Sequence, residues 1–160
     1  ITDLARAYYH ARRYDDAIDA YQQTLDLNPR NYRLNSWLEL AYAQKGKYDQ
    51  AIESRIKSMS LIGFDPEKLT SLKDAYAKSG WTGYWRKEIE FTPAKPATNY
   101  YYVARAYARI GDKEQALIWL KKAYEEKVDH LILLKVDPIF DPLRDDPPFT
   151  DLLRSIGFLV

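Results

Sequence analysis

The chain has 160 residues, with 24 Lys and Arg against 23 Asp and Glu and a net charge of +1. That balance argues against a dedicated nucleic-acid binder, whose affinity comes from a concentrated positive footprint. With no cysteine, disulfides, thiolate metal sites and cysteine nucleophiles are excluded.

In chain order, Leu4 and Tyr8 stack at i, i+4 on a helix over about residues 2–11, and Ala17, Ile18, Tyr21 and Leu25 form the stripe of a second over 14–27. Asn28-Pro29 ends this pair. The next runs over about 32–45 and 48–61, with Gly46 at the turn and Gly63 closing it. Asp65-Pro66 starts a helix to about Lys78, and Gly80 stops it. Residues 81–91 read as an aromatic-heavy helix, made irregular by Trp85, before the hinge Pro93-Ala94-Lys95-Pro96. A fourth pair, about 98–110 and 112–127, turns at Gly111, with Lys121-Glu125 and Lys122-Glu126 as i, i+4 pairs. Asp137-Pro138, Asp141-Pro142 and Asp146-Pro147 signal short helix starts in the tail. A last helix over about 148–155 covers the open end.

One register unites these elements. Tyr8, Tyr42, Tyr76 and Tyr107 recur at nearly constant spacing, each four residues after an apolar one: Leu4, Leu38, Leu72 and Val103. Nine residues beyond each tyrosine stand Ala17, Ala51, Trp85 and Ala116, and sixteen beyond stand Thr24, Ser58 and Ala123 in the regular pairs. Such periodicity describes a repeat array, whose function lies on an extended surface.

The residues Leu4-Ala5, Tyr8, Ala17, Tyr21 and Pro29, then Leu38, Tyr42, Gly46, Tyr48 and Ala51, then Ala104, Tyr107, Ala116, Leu120 and Ala123 resemble the tetratricopeptide repeat family. The resemblance implies an all-α, right-handed superhelical solenoid of antiparallel helix pairs. It places repeats at about 1–30, 31–64, 65–97 and 98–128 and a C-terminal cap at 129–160, all in one domain. Glu39, Lys73 and Arg55 depart from the family pattern. The tail, from Trp119-Leu120-Lys121-Lys122 through Leu134-Lys135-Val136-Asp137-Pro138 to Phe140-Asp141-Pro142-Leu143-Arg144, is similar to the C-terminal end of bacterial proteins that join such repeats to a winged-helix or serine/threonine kinase domain. It implies that Val160 lies near a natural C-terminus and that Ile1 begins a fragment of a larger regulatory protein.

At about 100° per residue, positions six and two before each tyrosine, and one and two after it, lie opposite the packing stripe. In a stack they line a concave groove: Arg6, Tyr9 and His10, then Gln44, then Asp74 and Lys78, then Tyr101, Arg105 and Arg109. Of the run Tyr100, Tyr101 and Tyr102, Tyr101 is the one expected in the groove. Arginine and tyrosine suit an acidic or C-terminal peptide, since guanidinium groups grip carboxylates and rigid aromatics bury area at low entropic cost. Trp81, Tyr84, Trp85 and Phe91 form a dense aromatic cluster that either fills the third repeat or serves a second partner.

His10 and His130 are the only histidines, and neither sits in a metal motif. Phosphate loops, dinucleotide fingerprints and nucleophile elbows are absent from the sequence. No apolar run approaches a membrane span, and no signal peptide is visible. The reading is a non-catalytic protein-interaction or regulatory module of the cytoplasm, without a cofactor or metal. Its partner is a protein or peptide of acidic character; self-association into a homo-oligomer is the alternative.

Overall fold

A computed structural model of the chain describes residues 2–158. The expectations for Ile1 and Val160, and the last two positions of the 129–160 cap, lie outside the described residues. Every regular element among these residues is helical: α1 (Thr2–His10), α2 (Tyr14–Leu27), α3 (Tyr32–Gln44), α4 (Tyr48–Leu61), α5 (Pro66–Phe91), α6 (Thr98–Arg109), α7 (Lys113–Glu125), 3-10 segments at Asp129–Leu133 and Pro138–Leu143, and α8 (Pro147–Ile156). This is the expected all-α class of repeated helix pairs. The chain divides into two compact units, Ile1–Ser71 and Leu72–Val160.

In the first unit α1 packs on α2, α2 on α3 and α3 on α4. Small side chains set the approach: Ala17 and Ala51 are fully buried, and the Ser58 hydroxyl donates to the Tyr32 carbonyl at 2.9 Å. Asn31 starts α3 by accepting from the Arg33 and Leu34 amides, which satisfies donors that have no partner within the helix. Tyr42 is buried, whereas Leu4, the first residue of the α1 stripe, is 53% exposed.

Each pair turns at the fourth residue after its tyrosine, where φ is positive: Arg12 (61°), Gly46 (70°), Gly80 (60°) and Gly111 (78°). Glycine suits this place because an L side chain clashes there with the following carbonyl. Arg12 takes the glycine position in the first pair, and its guanidinium donates to the His10 carbonyl.

The third pair corrects one expectation. Residues 81–91 form a regular helix, and the non-helical backbone within α5 is confined to Gly80 (φ 60°, ψ −152°). A Cβ built on Gly83 would meet the Ala75 carbonyl oxygen at 2.8 Å and Ser79 Cβ at 2.4 Å. In a straight helix, residues eight apart are separated by about 12 Å. The chain therefore doubles back at Gly80 and closes on the absent side chain of Gly83. Trp85, 3% exposed, fills the position of the repeat alanine, its ring edge-on to Tyr84 and Trp81. The cluster serves packing.

In the second unit α6 packs on α7, both 3-10 segments pack on α6, and α8 packs on α7. Leu134, Phe140, Leu143 and Phe149 are fully buried, so the tail is part of the core. Two of the three Asp-Pro signals start elements, at Pro138 and Pro147. Pro142 instead lies inside a 3-10 segment, where Asp141 pairs with Arg144. The expected Lys121-Glu125 and Lys122-Glu126 pairs do not form among the described residues. Lys122 lies 4.0 Å over the Trp119 ring and Glu126 faces Lys95 at 3.9 Å; an exposed i, i+4 ion pair is worth too little to fix these side chains against such competing contacts.

Candidate functional site

The face of α6 opposite its packing stripe carries Tyr101, Arg105 and Arg109, and in the structure it is covered by the tail of the same chain. The Asp137 carboxylate sits at its centre. One oxygen accepts from the Ile139 amide at 3.1 Å and caps the 3-10 segment that follows. The other accepts from the Tyr101 hydroxyl at 3.1 Å and lies 3.1 Å from Arg105 Nε. The Arg105 and Asp137 side chains are 17% and 7% exposed. Arg144 completes the arrangement, donating to the carbonyls of Lys135 and Asp137 and to the Asp141 carboxylate.

Tyr101 is therefore not a groove tyrosine: it is 1% exposed, with its ring against Phe140 and His130. Burial first, and the Asp137 charge second, push its ionisation well above the ordinary tyrosine range. The exposed member of the run is Tyr102, whose hydroxyl meets His130 Nε2 at 3.1 Å. Arg105 is likewise not open to a partner. Arg109 is partly buried, its guanidinium 4.2 Å over the Trp85 ring and its carbonyl accepting from Trp81 Nε1 at 3.0 Å. Asp74 and Lys78 stand exposed on the first half of α5 without an ion pair among the described residues.

The first unit keeps its face open. Arg6 is 52% exposed, and its ion pair among the described residues is with the more exposed Asp3, at 3.6 Å, a surface pair worth about 0–1 kcal/mol. Its guanidinium lies 5.9 Å over the Trp37 ring, which also meets His10 and Tyr9 edge-on. Tyr9 itself is buried because Trp37 comes to lie over it, so it supports the face and does not line it. His10 and Gln44 are half-buried. The structure thus brings Arg6 and His10 together around Trp37, and it turns Tyr9, Tyr101 and Arg105 into packing groups.

Two residues escaped the sequence reading. Trp37 falls one position outside the groove register, and the periodicity gave no reason to single it out. Asp137 was legible as a helix start, but its second oxygen reaches α6 over a separation of 36 residues, which a local motif cannot display.

Among the described residues no helix is long and apolar enough to cross a membrane. No curated protein matches the chain. Residues 2–54 match the family model described as tetratricopeptide repeat, a family of protein-interaction modules that are typically non-catalytic. That span, which holds α1, α2, α3, the first half of α4 and the open Arg6 face, is thus similar to tetratricopeptide repeats.

Proposed function

We propose that the chain is a non-catalytic module that binds an acidic segment of a protein partner on the first-helix face of its N-terminal unit, with Arg6 as the carboxylate anchor, His10 near it around Trp37, and Gln44 as the contribution of α3. One observation carries this reading. Arg6 stands two residues before Tyr8, as Arg105 stands two residues before Tyr107, and Arg105 holds the carboxylate of Asp137, the cap of a 3-10 segment. The same register position is thus already used within the chain to grip an aspartate. In the second unit the chain supplies that aspartate itself; in the first, the ion pair of Arg6 among the described residues is with an exposed neighbour, Asp3.

The recognition is that of a preformed surface. Arg6 is steadied over the Trp37 indole, so a partner loses chiefly its own ordering entropy on binding. The likeness of the tail extends the reading to a regulatory protein of the bacterial cytoplasm. Selection of displayed random decapeptides on the full chain tests it: binders rich in Asp and Glu, lost on Arg6→Glu, are expected, and binders without acidic residues would overturn it.

Self-association is a second reading, favoured by the exposure of Leu4 on α1. Sedimentation over a range of concentrations tests it, with a concentration-dependent mass expected and a constant monomer mass against it.

A further inference from the structure

The first unit has a second concave feature. A cleft of about 390 Å³ opens where α2, α3 and α4 meet, with Gln22, Leu25 and Asp26 on one wall, Leu38 and Tyr42 on its floor, and Glu53 opposite. It lies on the other side of α3 from the open face, because Leu40 and Gln44 each follow Leu38 and Tyr42 by two residues, about 200° around the helix. Its volume falls in the range of ligand-holding clefts.

The chemistry of its walls is selective. Asp26 and Glu53 are exposed carboxylates with no ion pair among the described residues; Lys57, also at the rim, pairs with neither. Between them, Tyr42 is 8% exposed and its hydroxyl accepts from Gln22 Nε2 at 2.6 Å. That hydrogen bond uses the oxygen of Tyr42, and its own proton finds no acceptor among the described residues. A hydroxyl so buried ordinarily finds acceptors as well as donors. Burial, then the charges of Glu53 and Asp19, push Tyr42 ionisation upward, which keeps that proton in place.

From these observations we infer that the cleft is a second binding site, one that takes a basic peptide segment: a cationic side chain between Asp26 and Glu53, its aliphatic stem on Leu25 and Leu38, and a main-chain carbonyl accepting the Tyr42 proton. The site is independent of the Arg6 face, being opposite to it in position and in charge. The cation answers two carboxylates without an ion pair among the described residues, and the carbonyl answers the Tyr42 proton. A free inorganic cation would satisfy only the first of these.

The test is a nuclear magnetic resonance titration of the full chain with acetylated, amidated hexa-arginine. The Gln22 and Gln50 side-chain amides and the Tyr42 ring are expected to shift. Asp26→Asn with Glu53→Gln should weaken binding by about tenfold, the order expected for losing charge-assisted contacts, while the exposed control Glu67→Gln leaves it unchanged. Tyr42→Phe should weaken hexa-arginine but not propylguanidinium chloride, which has no carbonyl, and this separates recognition of a peptide carbonyl from attraction of the cation alone. Unmoved cleft signals, equal losses in the double variant and the control, or full affinity in the double variant would each overturn the inference. Asp26 and Glu53 are exposed, so their amide variants keep the fold, and the dispersion of the same spectra verifies it.

Discussion

Arg105 and Asp137 meet at 3.1 Å with little solvent around either side chain, and this contact ties the tail to the α6 face. A buried charge left alone is costly, whereas a surface pair such as Lys45 with Asp15 is worth little. Asp137→Ala is expected to destabilise the protein by about 3 kcal/mol or more, because it strands Arg105 and removes the cap on Ile139. Lys45→Ala should cost less than about 1 kcal/mol. Denaturant unfolding of both variants measures the difference.

The positive φ of Arg12 makes the first turn the strained member of its series. Arg12→Gly is expected to raise stability by about 1 kcal/mol, the cost of holding an L side chain in the left-handed region. Gly46→Ala and Gly111→Ala should lower it by a similar amount, about 1 kcal/mol each. Thermal unfolding of the three variants gives the signs.

Gly83 lies where the third pair folds back on itself. Gly83→Ala would press a methyl against the Ala75 carbonyl, which cannot move as a flexible side chain can. A loss of about 1–3 kcal/mol is expected, in contrast to the small gain that glycine to alanine brings in an unobstructed helix. Denaturant midpoints decide between the two.

Tyr101 makes stability depend on alkaline pH. Its ionisation is raised in the folded protein by burial and by Asp137, so the folded state favours the neutral phenol. The contribution is fully present below the ordinary tyrosine pKa of about 10 and is lost as pH rises above that value toward the folded one. Tyr21, fully buried against Trp37, adds to the same slope through its own burial. Unfolding free energies measured between about pH 8 and 11 should fall with pH above 10, and Tyr101→Phe should flatten that fall.

Much of the fold was legible because its signals are local. The stripe of Leu38 and Tyr42 and the glycines at 46, 80 and 111 each act within a turn or two of helix, and the described helix ends lie close to the expected ones. The open face was legible in part: the register that placed Arg6 and His10 on it also placed Tyr9, Tyr101 and Arg105 there. Which of those positions stay open depends on what lies over them. Trp37 covers Tyr9, and the Asp137 segment covers Tyr101 and Arg105. Gly83 sends no local signal in the sequence, and only the bend at Gly80 gives it a reason.

The central claim is that Arg6 remains the open carboxylate anchor while Arg105 is engaged by the chain itself. An acidic decapeptide obtained by selection on the full chain, titrated calorimetrically into the wild type, Arg6→Gln and Arg105→Gln, tests it most directly. The account predicts that Arg6→Gln weakens the peptide by about tenfold or more, and that Arg105→Gln lowers stability while leaving the affinity of the folded protein unchanged. Undiminished affinity in Arg6→Gln, or a loss of affinity in folded Arg105→Gln, would contradict it.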